Sequence, residues 1–153
     1  MKTIIQNKKL FSIILAVLMA GTIVMQFLPF WNNGETTCSI QRMLWFPDDQ
    51  PEIQSYIESM SGSPFNIDSV VWLTLGTMIC SVLGFCFSLF KPNTLLPSIF
   101  STFSGFFGVW NYLSRPVLRL GSLWGIHLAV SILMLILGTF CLISQLILSH
   151  ETE

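Results

Sequence analysis

The chain has 153 residues, of which 52% are hydrophobic and only 10% charged, with a formal net charge of −1. A soluble domain carries about 25% charged residues, so composition speaks against a soluble fold. The few Lys and Arg are scattered, without the basic footprint that nucleic-acid binding requires.

Four long stretches lack Asp, Glu, Lys and Arg: Leu10 to Gly34, Ser69 to Phe90, Pro92 to Ser114 and Leu120 to Ser149. Each reaches the roughly 20 residues of a membrane-crossing helix. The sequence therefore predicts an all-α integral membrane protein. A single membrane domain over 1–153 forms a four-transmembrane-helix bundle, with spans at about 10–30, 69–90, 94–114 and 121–148 and an outer loop at 31–68. Little chain remains for a separate catalytic domain.

Lys2, Lys8 and Lys9 precede the first span, and the positive-inside rule holds such cations in the cytoplasm. A basic head before an apolar run also opens a secretory signal peptide. Here Ala16 and Ala20 are too far apart for an Ala-x-Ala cleavage site, and Leu18 stands where a small residue belongs. With four crossings, both termini and Lys91 face the cytoplasm, while 31–68 and 115–119 face out. The expected location is a plasma membrane, crossed several times. Few external cysteines and no Asn-x-Ser/Thr acceptor suit a bacterial membrane better than an animal cell surface.

The outer loop carries Glu35, Asp48, Asp49, Glu52, Glu58 and Asp68 against the single base Arg42. Asn33-Gly34 signals a turn, and Thr36 to Phe46 reads as a strand stopped by Pro47. Asp48 or Asp49 can cap a short helix with Pro51 early in it. Ile53, Tyr56, Ile57 and Met60 then recur at helical spacing, which gives that helix one apolar face to pack. Phe30, Trp31, Trp45 and Phe46 fit an interfacial aromatic belt. Ser61-Gly62-Ser63-Pro64 forms a turn, and Asp68 is placed to cap the second span.

Four spans with a large first outer loop resemble the claudin plan, in which a Trp is followed by Gly-Leu-Trp and two cysteines bonded to each other. Here Trp31 and Leu44-Trp45 correspond, but Met43 replaces the Gly, Cys38 precedes the pair, and the outer segments hold no second cysteine. The resemblance is one of layout, and no functional residue is carried over.

In lipid, helices associate through close approach of small residues. Gly76, Cys80, Gly84 and Ser88 lie at four-residue intervals in the second span, as do Gly121, Gly125 and Ala129 in the fourth. The third pairs Ser101 with Gly105 and Ser104 with Gly108, and the first has Ala16 and Ala20. These are expected to pack within the chain or against a second copy. The third span is the most polar, with Pro97 expected to bend it about one turn in. Its Phe100, Phe103, Phe106, Phe107 and Trp110 offer a bulky side to the small face of the second span.

No acidic or basic residue lies in the middle of a span, which speaks against a proton pump or voltage sensor. His127 is the exception. It stands at a depth similar to Gln26 and Asn111, with Arg115 and Arg119 just above, so these five residues could form an outward-facing polar pocket for an anionic head group or small ligand. The alternative is a histidine bonded to a neighbouring hydroxyl or carbonyl. Cys80 and Cys86 lie about 240° apart around their helix at roughly 100° per residue, so they form no vicinal dithiol. Cys38 is alone outside, where a free or intermolecular thiol is expected. No metal-ligand spacing, phosphate loop or nucleophile motif occurs, so neither cofactor nor enzymatic activity is expected. The sequence points to an accessory or interaction protein of the cell envelope, working through its outer loop and bundle faces within the lipid bilayer. Its partners would be other membrane proteins or a second copy. A small-solute or ion transporter with the third span lining the path is the alternative.

Overall fold

The computed structural model describes residues 2–32, 37–39, 41–42, 50–62, 64, 66–114 and 123–150. Five helices dominate: α1 (Lys2–Phe27), α2 (Gln50–Ser61), α3 (Ile67–Phe90), α4 (Leu96–Ser114) and α5 (Trp124–His150). Between α1 and α2, strands β1 (Pro29–Asn32) and β2 (Thr37–Ser39) pair antiparallel, with a bulge between Pro29 and Trp31. The strand expected over 36–46 does not extend that far. Strand geometry covers Thr37–Ser39, Gln41 and Arg42 are already helical, and the Ser39 hydroxyl accepts the Arg42 amide hydrogen at 3.2 Å. The Asp48 and Asp49 caps, and the side chains of Phe30, Trp31, Cys38, Trp45 and Phe46, lie outside the described residues.

Among the described residues three helices are long and apolar enough to cross a membrane: Lys9–Phe27 of α1, Ile67–Phe90, and Trp124–Ile147 of α5. The sequence expectation was four. α4 falls short on apolarity because Ser98, Ser101, Thr102, Ser104 and Asn111 dilute it.

The helix ends follow local chemistry. Asn66 caps α3, its Oδ1 accepting from the Ser69 amide at 3.3 Å, so the expected Asp68 cap is displaced two residues and Asp68 sits in the first turn. Gly62, at φ 64°, closes α2 by donating its amide to the Glu58 carbonyl at 2.9 Å, a left-handed ending that suits glycine. α4 starts at Leu96, which places Pro97 in its first turn, where a missing amide hydrogen removes no helical bond. The expected bend is therefore not required. The α3–α4 turn is tied down by Thr94, bonded to the Lys91 carbonyl at 2.8 Å, and by Ser12 of α1, bonded to the Pro92 carbonyl at 2.7 Å.

Buried positions alternate at three and four residues. α1 buries Ser12, Leu15, Met19, Thr22 and Gln26, with Ala16 beside Leu15; α3 buries Ile67, Val70, Thr74, Thr77, Ser81, Gly84 and Ser88; α5 buries His127, Ser131, Met134, Gly138 and Cys141. That is the 3.5-residue period of a left-handed coiled-coil seam. It corrects the expected α3 stripe: Gly84 and Ser88 lie in the seam, whereas Gly76 and Cys80 are only half-buried beside it. α4 buries a wider face, including Ser98, Ser101, Ser104, Gly105, Gly108, Asn111 and Tyr112, because it packs against α1, α3 and α5 together.

The tightest approach joins α4 to α5. A side chain at Gly105 would collide with the Leu135 amide and the Ser131 carbonyl, and one at Gly138 would sit 2.8 Å from the Thr102 amide nitrogen. Gly108 likewise accommodates the Ser131 hydroxyl. The expected α5 stripe lies elsewhere: Gly125 has nothing within 4 Å and Ala129 is exposed, while Gly121 falls outside the described residues. The aromatic side of α4 is also divided. Phe100 stacks on Phe87 of α3 at 5.5 Å and Phe107 covers Gly76, but Phe103, Phe106 and Trp110 face outward.

Interior and exterior are inverted relative to a soluble protein. Among the described residues fourteen polar side chains are buried against ten apolar ones, Pro97 included, and twenty-five large apolar side chains are exposed. In water each exposed one would forgo roughly 1.5–3 kcal/mol of burial.

Candidate polar site beneath the α1–α2 loop

Two apolar clusters frame the site. On the side of α2, Ile57 is 0% exposed and packs with Ile67, Val70 and Tyr112, so the apolar face of α2 is seated on the ends of α3 and α4. Further along the helices, Leu15, Met19, Met134 and Cys141 form a second cluster, with Met19 and Met134 both 0% exposed. Between these clusters the seam turns polar.

α1 contributes Thr22 and Gln26, α3 Thr74 and Thr77, α4 Asn111 and Tyr112, and α5 His127 and Ser131; they enclose a cavity of about 10 Å³. Asn111 Nδ2 donates to Thr74 Oγ1 at 3.2 Å, and the Tyr112 hydroxyl lies 2.9 Å from His127 Nδ1. The hydroxyls of Thr22, Thr77 and Ser131 donate to the carbonyls one turn back, Leu18, Leu73 and His127, at 3.0, 2.9 and 2.8 Å. Asn111 Oδ1 is buried with no hydrogen-bond partner. Trp124, at the start of α5, donates its indole hydrogen to the Tyr112 carbonyl at 3.2 Å, which fixes α5 against the end of α4.

Gln41 closes the site on the loop side. Its side chain is buried, and its two amide hydrogens are directed to Gln26 Oε1 at 2.7 Å and Met78 Sδ at 2.9 Å, so one loop residue bridges α1 and α3.

Of the five residues singled out from sequence, the fold brings Gln26, Asn111 and His127 around one cavity, while Arg115 and Arg119 lie outside the described residues. The space is enclosed and water-sized, too small for a head group. Thr22, Thr74, Thr77, Tyr112, Ser131 and Gln41 were not singled out. Thr22 and Ser131 could have been found by a four-residue step from Gln26 and His127; Thr74 and Thr77 lie on α3, which carries none of the five, and Gln41 reaches the site only through tertiary contact.

A second feature lies on the outside of the cap. An open groove of about 740 Å³ runs between α2 and the start of α3, lined by Gln50, Gln54, Ser55, Glu58, Asn66 and Asp68 among others. Gln54 Nε2 donates to Glu58 Oε1 at 3.0 Å along the flank of α2 beside the buried Ile57. No Lys or Arg lines it, and both ionisable groups that do are acidic. Among the described residues no three His, Cys, Asp or Glu side chains come together as a metal site. Comparison with protein-family models, with curated proteins and with solved structures gives no match.

Proposed function

We propose that the chain is a plasma-membrane protein crossing the bilayer four times, with both termini cytoplasmic, and that it serves as a small accessory protein recognising another membrane component through its outer cap. The fourth crossing is assigned to α4. Its polar residues point inward, its outward Phe103, Phe106, Trp110 and Leu113 are apolar, and 19 residues at 1.5 Å each span about 28 Å, close to the hydrocarbon thickness. Exposed Trp72 and Trp110 lie near the cap end of α3 and α4, where an aromatic belt belongs.

The observation that carries the recognition reading is the anchoring of α2. Complete burial of Ile57 holds the helix rigidly, so its polar, acidic face and the groove beside it are presented outward in a fixed shape. Preorganisation of this kind lowers the ordering cost of binding. A segment rich in Lys, Arg or hydrogen-bond donors matches that surface. The transport reading has less support, because Leu15, Met19 and Met134 close the seam below the polar site and Gly105 and Gly138 leave no gap between α4 and α5.

Site-specific photo-crosslinking in native membranes tests this. A probe at Ser55 is expected to trap one defined partner, Glu58→Lys with Asp68→Lys to abolish that adduct while membrane abundance is retained, and a probe at Ile136 to trap lipid. Solute flux through liposomes containing the purified chain, lost on Asn111 substitution, would instead establish transport.

A further inference from the structure

We propose that the enclosed polar site among α1, α3, α4 and α5 binds a single structural water molecule, held by Asn111 Oδ1 and a neighbouring hydroxyl.

Three observations carry this. First, the cavity measures about 10 Å³, at the lower bound of the volume needed to hold one water. Second, Asn111 is 2% exposed and its Oδ1 is left without a partner. A buried unsatisfied carbonyl is expensive, and more so within a bilayer. Turning the amide over does not remove the requirement. Thr74 would then donate to Oδ1, and the amide nitrogen would face the cavity instead. Third, the hydroxyl protons of Thr22, Thr77 and Ser131 are already committed to backbone carbonyls, so these oxygens offer lone pairs and no donors.

The site thus offers acceptors at Asn111 Oδ1 and these hydroxyls together with the Thr74 hydroxyl hydrogen, and calls for a guest that both donates and accepts. Water does so without charge. A cation would also seek acceptors, but none of the lining side chains is a carboxylate, and an uncompensated charge at this depth is strongly disfavoured. An anion would bring the same uncompensated charge, with no Lys or Arg among the lining residues. One water joins helices that otherwise meet here through few direct side-chain bonds, making the polar layer a fixed joint of the fold.

The test is a structure of the full chain in lipid nanodiscs, at a resolution that shows ordered water. A single peak within hydrogen-bonding distance, roughly 2.7–3.2 Å, of the Asn111 amide is expected, unchanged when sodium is replaced by choline. No peak would overturn the proposal. So would a peak with shorter, metal-like contacts that vanishes in choline, since the guest would then be an ion. In solution, a long-lived water cross-peak to the Asn111 amide protons is expected in the wild type and lost in Asn111→Leu, whose side chain fills the space with apolar carbon. If Asn111→Leu does not fold, the wild-type cross-peak decides alone, and its absence counts against the site.

Discussion

The hydroxyls of Ser81 and Ser104 meet 2.7 Å apart, fully enclosed between α3 and α4. Ser104 also reaches the Thr77 carbonyl at 3.2 Å, so it ties α4 to α3 twice, whereas Ser81 contributes one bond. Interhelical hydrogen bonds in membranes are worth about 0.6 kcal/mol on average and up to about 1.7. Ser104→Ala is expected to lower stability by about 1 kcal/mol and Ser81→Ala by less, read from unfolding in mixed micelles. Zero losses would show that the seam is held by packing alone, and equal ones that the Ser104–Thr77 bond adds nothing.

The glycines separate cleanly by what surrounds them. Gly105→Ala places a methyl group against the α5 backbone at Leu135 and Ser131, which no rotamer change can relieve. A loss of about 1–3 kcal/mol is expected from overpacking. Gly125→Ala meets nothing within 4 Å and should be neutral in the monomer. Thermal unfolding of the two variants in one detergent checks the contrast, and a destabilised Gly125→Ala would point to a neighbour on that face, such as a second copy.

Gln41→Ala removes the donor that satisfies Gln26 Oε1 in a buried setting. Leaving that acceptor unpaired costs about 1–3 kcal/mol locally. Because Gln41 belongs to the α1–α2 loop, the expected signature is faster protease nicking of 31–49 with the helices intact. Unaltered cleavage would mean that α2 alone holds the loop down.

Phe106 lies midway along α4 and faces outward. If that surface meets lipid, Phe106→Lys raises the insertion cost by about 2.5–3.5 kcal/mol, and the yield of membrane-integrated chain should fall several-fold. Lys at the exposed Ser55 should leave yield unchanged. Equal tolerance at both positions would place α4 at a water-exposed surface.

Much of this architecture is legible in the sequence, because absence of charge marks the long helices and the positions of Gln26, Asn111 and His127 can be compared by counting residues from the span ends. The packing faces are less so. At 100° per residue, a strict four-residue stripe such as Gly76, Cys80, Gly84 and Ser88 advances about 40° each step and walks off the interface, whereas the observed seam alternates three and four. Gly138, seven residues from Ser131, is part of the real α5 face but belongs to no four-spaced run. Gln41 was invisible because its partners lie 15 and 37 residues away, and a contact of that kind leaves no local pattern.

Whether α4 crosses the bilayer is decided by sidedness labelling in intact cells, with the native cysteines replaced by alanine and single cysteines placed at Ser55, Thr94 and Thr152. Four crossings predict that an impermeant maleimide labels position 55 at once and reaches 94 and 152 only after the membrane is opened. Labelling of 152 together with 55 would put the two on the same side, leave only three crossings, and contradict the assignment of α4 as a span.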